Sequence, residues 1–211
     1  LPAFNEALNV EGANALEADI SLTRDGKVVL WHDWDPNSPI ALIRQEKGEP
    51  IQKFKPFGPK LKESRWRKKV SELSLTELLD HYGYENKITQ AKSNIKIATF
   101  HEFIKWAAQQ NKLKLVLLKL KIPVEEGRLA SVMLEEIRKI VGSIYPNPHF
   151  RLVFLTPHKE ILYLVKNQFN EFLFSYDREV FPNEITNYHS FTTVPIAIDF
   201  KNSFASIGLP F

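Results

Sequence analysis

Two carboxylates and a histidine lie on either side of a predicted hairpin near the start of the chain. Glu17 and Asp19 are two positions apart in an apolar run, so in a strand both side chains share one face, about 6.6 Å apart. Asp25-Gly26 between apolar runs predicts a tight hairpin turn. A two-residue turn there would pair residues whose numbers sum to 51 and would place Asp19 opposite His32.

These residue types suit the hydrolysis of an anionic ester. Carboxylate oxygens bind hard cations such as Mg²⁺ and Ca²⁺, a bound cation neutralises phosphate charge, and a histidine at its edge transfers protons to or from the reacting oxygens. Taken singly, each feature has a structural alternative: a solvated strand face or a surface turn. The apolar residues around them favour a functional role, because isolated charges among such residues would be costly.

Strand-like and helix-like segments alternate along the chain. Beyond the hairpin, strands are predicted at 113–120, 150–155, 172–176 and 194–200. Near-continuous apolar strands separated by helices favour an α/β fold with a parallel sheet covered on both faces. In a barrel of this kind, chemistry gathers at the carboxyl ends of the strands, where Lys121 and Asp177 are expected.

Three helix starts carry local signals. Ser74 with Glu77 and Thr99 with Glu102 are capping boxes that precede apolar periodic runs. A Pro at 123 predicts the start of a long helix, which a Gly at 142 is expected to end.

Composition narrows the protein class. The 211 residues are 44% hydrophobic and include 15 Phe and no Cys, which indicates a packed globular protein without disulfides or thiolate metal sites. No apolar run reaches the about 18 residues of a membrane span, so no transmembrane segment is expected. The length suits a single domain over 1–211 but is short for a complete barrel, since such domains commonly run about 250 residues. Nothing in the composition indicates a cellular compartment.

The segment 36–69 differs in character from the rest of the chain. Residues 44–69 contain ten Lys or Arg and three Glu, with Pro at 50, 56 and 59. We interpret 36–69 as a basic insertion after the second strand, at the mouth of the barrel, where it could contact a membrane peripherally through lipid headgroups. The alternative is a solvated loop balanced by acidic charge elsewhere. Because the basic patch is local and the net charge only +3, no nucleic-acid partner is expected.

Several of these segments resemble a known family. The segments 2–8, 17–19, 23–26 and 28–33, with the 13-residue step from Asp19 to His32, resemble the opening of the glycerophosphodiester phosphodiesterase family, in the phospholipase C-like phosphodiesterase superfamily. Less specifically, 70–79, 97–104 and 114–122 resemble its later elements. The resemblance implies a TIM (β/α)8-type barrel that is incomplete here. Its first strand, with a His-Arg pair, is expected before Leu1, and its last strand after Phe211.

The resemblance also implies roles for individual residues. Glu17 and Asp19 would bind a divalent cation, Mg or Ca, while Lys121 would contact phosphate and His32 would act as a general acid. At the family's usual third metal carboxylate this chain has Lys119, whose ammonium could take the place of the cation. The pocket is expected to include Lys119 and two carboxylates, Asp33 and Asp177.

Three functions follow. The favoured one is metal-assisted hydrolysis of a glycerophosphodiester or a related phospholipid-derived phosphodiester, with the small molecule or its lipid headgroup as the partner. A second is a catalytically inactive barrel that binds a phosphorylated ligand or a partner. A third is a phospholipase-like enzyme that cleaves through a cyclic phosphate.

Overall fold

The computed structural model describes residues 1–49, 52–60, 64–144 and 149–177. Its strands are β1 (Ala15–Leu22), β2 (Val28–Leu30), β3 (Phe54–Phe57), β4 (Gly83–Asn86), β5 (Leu115–Leu120), β6 (Arg151–Thr156) and β7 (Leu173–Tyr176). Its helices are α1 (Pro2–Asn9), α2 (Pro39–Lys47), α3 (Leu75–His81), α4 (Phe100–Ala107), α5 (Arg128–Ile144) and α6 (Lys159–Lys166). Two short 3₁₀ helices span Val70–Glu72 and Val124–Glu126.

Five strands form the main sheet, in the order β2-β1-β5-β6-β7. β1, β5, β6 and β7 run parallel, while β2 is antiparallel to β1. The three strands predicted at 113–120, 150–155 and 172–176 are confirmed, with starts one or two residues later than expected. The predicted strand at 194–200 lies outside the described residues. β3 and β4 form a separate antiparallel pair.

One face of the main sheet is apolar and packs against helices, while the other face carries charged residues beside the buried Leu117 and Val153. One core cluster joins alternate residues of the strands to residues of α4, α5 and α6: Leu16, Ala18, Ile20, Val116, Leu118, Leu120, Phe154, Phe103, Ile104, Met133, Leu134, Ile137, Ile161 and Val165. Successive side chains of a strand point to opposite faces. Glu17, Asp19 and Lys119 therefore lie on the face away from these helices.

The predicted register of the first hairpin is wrong by one residue. Ile20 pairs with Leu30 and Leu22 with Val28, so paired residues sum to 50. The loop contains three residues instead of two: Thr23 N donates to Lys27 O at 2.9 Å, and the Gly at 26 adopts a φ of 75°. A three-residue loop that ends in a left-handed Gly is a common hairpin connection.

The helices begin largely where their caps predict. Both capping boxes are confirmed: the hydroxyls of Ser74 and Thr99 accept from the backbone N–H three residues on, and the glutamates at 77 and 102 accept from the cap N–H groups. The long helix differs from expectation, because a 3₁₀ turn follows the Pro at 123 and α5 begins at Arg128. The expected stop at Gly142 is wrong: the helix continues to Ile144, since a Gly ends a helix only when it adopts the left-handed conformation.

The segment 97–104, which resembles one of the family's later elements, contains a single β-bridge and the start of α4. Thr99 pairs with Val29 in isolation, and α4 begins at the next residue. The region from β2 to this bridge has its own small core, which consists of Val29, Trp31, Val70, Leu73, Leu78, Tyr82 and Ile97. This second core holds the chain immediately before His32.

Candidate active site

The register of β1 and β5 brings carboxylates and lysines together at one end of the sheet. Asp19 is paired with Lys119, and Lys121 N donates to Ile20 O at 3.0 Å just beyond the end of β5. Because side chains two residues apart share a face, Glu17 and Asp19 face the same side as the two lysines. Lys119 and Lys121 lie at the carboxyl end of β5 and Asp19 is level with Lys119, and α/β barrels place their chemistry at the carboxyl ends of the parallel strands.

Lys121 connects the first strand to the histidine. Its Nζ lies 3.6 Å from Asp19 Oδ1 and 3.1 Å from His32 Nε2. β2 ends at Leu30, so the hairpin ladder does not align His32 with Asp19. The histidine instead reaches Lys121 from a turn in which Trp34 N donates to His32 O at 3.0 Å.

A buried carboxylate orients the imidazole. His32 Nδ1 lies 2.6 Å from Asp33 Oδ1, and Asp33 is only 4% exposed. A carboxylate accepts a hydrogen bond, so the Nδ1–H donates to Asp33 and the lone pair of neutral His32 lies on Nε2, towards Lys121. Within the part of the chain that the structure describes, the other carboxylate oxygen, Oδ2, has no hydrogen-bond partner.

Arg44 of α2 supports this carboxylate from the other side. Its Nε lies 3.2 Å from Asp33 Oδ1, an ion pair without the alignment of a hydrogen bond. Another nitrogen of the same guanidinium donates to Glu49 Oε1 at 3.0 Å. Through Arg44, α2 therefore places a positive charge beside Asp33, the carboxylate that orients His32.

Lys119 points to the opposite side of the site. Its Nζ lies 2.7 Å from Asp177 Oδ2, and the two side chains are 16% and 24% exposed. Asp177 follows β7, and its N–H donates to Thr156 O at 2.9 Å. The ion pair therefore spans from β5 to the end of β7 across β6.

Glu17 carries the most perturbed carboxyl group of the site. Burial of the carboxyl, followed by repulsion from Asp19, raises its pKa to about 7, while Lys119 and Lys121 act in the opposite direction. The residue as a whole is exposed, so solvent reaches it from one side. Asp177 also raises the pKa of Glu17, as expected if the charged groups share one neighbourhood.

The seven predicted site residues thus lie in one region: Glu17, Asp19, His32, Asp33, Lys119, Lys121 and Asp177. Sequence reasoning missed Arg44, which no motif marks and which reaches Asp33 only through the packing of α2. It also missed Tyr84 of β4, whose pKa burial raises to about 12 and which lies within electrostatic range of Asp33 and Asp19. The Tyr84 ring packs edge-on against Trp31 at 5.5 Å. The catalytic and ligand roles of the seven residues remain predictions.

The same residues connect the chain to a family. Residues 1–178 match the sequence profile of the glycerophosphoryl diester phosphodiesterase family. The chain belongs to this family. No match to a curated protein sequence was found.

Solved structures share the fold of this family member. A protein described as a glycerophosphoryl diester phosphodiesterase, from Silicibacter pomeroyi DSS-3, is 17% identical, with a TM-score of 0.61 over 99% of this chain and 66% of that chain. An Oleispira antarctica phosphodiesterase in complex with the product sn-glycerol-3-phosphate is 19% identical, with a TM-score of 0.53 over 82% of this chain and 58% of that chain. A protein described as a glycerophosphodiester phosphodiesterase, from Galdieria sulphuraria, is 18% identical, with a TM-score of 0.52 over 82% and 55%.

These likenesses confirm the fold class. The described residues form an α/β fold with a mainly parallel sheet, of the TIM-barrel type. It spans 55–66% of the lengths of the three solved chains.

The described side chains do not fit the divalent cation that this family generally uses. Residues 1–49, 52–60, 64–144 and 149–177 contain no group of three or more His, Cys, Asp or Glu side chains placed to hold a metal ion. Mg²⁺ and Ca²⁺ require six or more oxygen ligands, partly supplied by water. Beside Glu17 and Asp19 the neighbouring strand contributes ammonium groups instead of a third carboxylate.

Two other features of the described chain bear on function. A cavity of about 720 Å³ lies among Leu1, Phe54 and the loop 93–98, and none of the seven site residues lines it. Its carboxylate, Glu102, is used in the cap of α4, so we do not place the site there. None of the helices in the described ranges has the length and apolarity needed to cross a bilayer.

Proposed function

We propose that this chain contributes the active site of a phosphodiesterase that hydrolyses a glycerophosphodiester or a related phospholipid-derived phosphodiester. The observation that carries the proposal is the continuous series Asp33–His32–Lys121–Asp19 at the carboxyl edge of β1 and β5, with contacts of 2.6, 3.1 and 3.6 Å. The series contains an imidazole that can transfer a proton, His32, and an ammonium group that can bind a phosphate, Lys121. Family membership and the product bound by the Oleispira antarctica neighbour support the substrate class.

Lys121 binds the phosphate in this proposal. Lysine is a point-charge phosphate ligand with three donors. When a phosphate oxygen accepts from its Nζ, Lys121 leaves the lone pair of His32 Nε2 free to carry a proton. Asp19 keeps the ammonium at the edge of the sheet.

His32 then acts as the general acid. Its Nε2–H protonates the leaving alkoxide as the P–O bond to the alcohol breaks and a water oxygen bonds to phosphorus. Asp33 accepts from Nδ1, so it holds the ring in place and stabilises the imidazolium. The attacking water loses a proton to solvent overall, and His32 regains one for the next cycle. No step is assigned to a divalent cation, because the described donor set does not fit one.

Release of sn-glycerol 3-phosphate from sn-glycero-3-phosphocholine tests this function. We expect the full chain to hydrolyse the diester and His32→Gln to lower kcat/KM by about a hundredfold or more. His101→Gln is the matched control, since His101 is exposed near the start of α4. Absence of turnover by the unmodified protein, or equal rates for the two variants, would contradict the proposal.

A second candidate function is an inactive barrel that binds a phosphorylated ligand or a partner. Lys119 favours it, since this residue stands where the family resemblance implies a metal carboxylate. The two candidates differ in one measurable respect. Binding of the glycerophosphodiester without any release of alcohol would support the binding protein.

A further inference from the structure

Lys119 on β5 and Lys121 just beyond its end lie where the family resemblance implies a divalent cation. Lys119 is level with Asp19 in the parallel register, and Lys121 follows on the same face. A strand that presents Lys at two such positions directs both ammonium groups to the charged side of the sheet. Backbone pairing sets the face on which the two side chains leave the strand, and their contacts set where the ammonium groups lie.

Carboxylates hold both ammonium groups in this position. Lys119 Nζ contacts Asp177 Oδ2 at 2.7 Å, and Lys121 Nζ lies 3.6 Å from Asp19 Oδ1. Each lysine side chain is 16% exposed, so both charges are largely enclosed and yet open to a ligand.

A divalent cation would meet strong opposition here. Bound between Glu17 and Asp19, it would lie beside the ammonium groups of Lys119 and Lys121, and like charges a few ångströms apart repel in a partly buried site. Asp19 would also have to give up its contact with Lys121. Among the described residues, no third carboxylate or imidazole is placed with Glu17 and Asp19 to hold a metal ion, because Asp177 pairs with Lys119 and His32 contacts Lys121 and Asp33.

We infer that Lys119 and Lys121 bind the phosphate group of the ligand at this site without a divalent cation. The inference rests on the proposed function for the class of ligand, a phosphodiester or phosphomonoester of glycerol. The ammonium groups supply the positive charge that meets the phosphate oxygens, each with up to three N–H donors. Asp19 and Asp177 serve as counter-ions that position the lysines when no ligand is bound.

Calorimetric titration of the full chain with sn-glycerol 3-phosphate tests the inference. We expect equal affinity in EDTA and in millimolar Mg²⁺, and a loss of at least tenfold in Lys119→Met. Lys112→Met is the matched control, because Lys112 is exposed close to the amino end of the same strand; its affinity should not change. Binding that disappears in EDTA and returns with Mg²⁺ would overturn the inference.

The reciprocal change asks whether Lys119 takes the place of a metal ligand. Lys119→Asp adds a third carboxylate beside Glu17 and Asp19, and we expect it to bind Ca²⁺ at least tenfold more tightly than the unmodified protein in a direct titration. Equal Ca²⁺ affinity in the two proteins would overturn the inference. Circular dichroism checks that each variant is folded; if Lys119→Asp does not fold, the EDTA comparison and Lys119→Met decide the question.

The outcomes separate this inference from the proposed function. Metal-independent binding without hydrolysis would sustain the inference and refute the enzyme. If hydrolysis and binding both required Mg²⁺, the proposed enzyme would be supported and the inference of metal-independent binding would be refuted. No binding of sn-glycerol 3-phosphate under either condition would overturn both.

Discussion

The lysine pair Lys119 and Lys121 and the basic segment 44–69 are two cationic regions that use their charge differently. Lys119 and Lys121 face carboxylates and a histidine at the open edge of the sheet. In the basic segment, Arg67 is only 8% exposed. Its guanidinium donates to two backbone carbonyls and two side-chain amides of the same region: Pro36, Pro59, Asn37 and Gln45.

The difference shows that a count of charges does not reveal which of them can meet a ligand. Residues 44–69 contain ten Lys or Arg, but Arg67 is used to build the segment, and Lys55 pairs with Glu85 at 3.3 Å. Lys119 and Lys121 are only two residues in a mostly apolar stretch, so they change the overall count of charged residues very little. Their position at a carboxyl edge makes them the better candidates for binding phosphate.

Among the substitutions that test this comparison, we expect Arg67→Ala to have the largest effect, a loss of stability. It removes the four hydrogen bonds that the buried guanidinium donates, and a hydrogen bond that involves a charged group contributes about 1.5–3 kcal/mol. We expect the free energy of unfolding to fall by about 3–4 kcal/mol, measured by urea denaturation. Lys68→Ala, an exposed neighbour, should change it by less than about 0.5 kcal/mol. Equal losses in both variants would mean that Arg67 has no special structural role.

Lys121→Met should show the opposite behaviour. Loss of the ammonium should lower kcat/KM for sn-glycero-3-phosphocholine by about a hundredfold, or about 2.7 kcal/mol, because the phosphate loses its point-charge ligand. Thermal unfolding should shift little, since Lys121 makes only partly exposed contacts. Lys53→Met removes an exposed lysine of the basic segment and should leave the rate unchanged. A rate loss in Lys53→Met as large as that in Lys121→Met would erase the distinction between the two regions.

Arg44→Met tests a contact that joins the basic segment to the residues that position His32. Arg44 lies in the basic segment but ion-pairs with Asp33, which orients His32. Without it, Asp33 remains hydrogen-bonded to the imidazole but is less firmly held, so we expect a loss of about tenfold in kcat with KM nearly unchanged. Arg44→Lys should recover part of the rate. A change confined to KM would indicate that Arg44 contacts substrate instead of positioning the histidine.

Local sequence patterns predicted the features of the site that are set within a single strand. The two-residue spacing of Glu17 and Asp19 predicted that both side chains lie on one face of their strand. The same spacing of Lys119 and Lys121 in an apolar run predicted a shared face for the two lysines. The structure has both pairs in those positions, because strand parity is a property of the backbone. The capping boxes at Ser74 and Thr99 were equally local and equally reliable.

Contacts between distant elements could not be predicted in this way. The hairpin register failed because Asp25-Gly26 is compatible with both a two-residue and a three-residue loop. His32 still reaches Lys121, but through a turn after β2 and not through strand pairing. Arg44 and Arg67 owe their roles to the packing of α2 and the segment around it, and no spacing in the sequence distinguishes them from the surface lysines beside them.

The contacts of Arg67 also bear on how freely the segment 36–69 could vary in length. The side chain of Arg67 donates hydrogen bonds to Pro36 O and Asn37 Oδ1. These bonds connect the two ends of the segment to each other. For a loop closed in this way, each doubling of length adds only about 0.6 kcal/mol of closure entropy. Residues could therefore be added to the segment without moving the turn that carries His32, provided that α2 with Arg44, β3, and the acceptors Gln45 and Pro59 are kept.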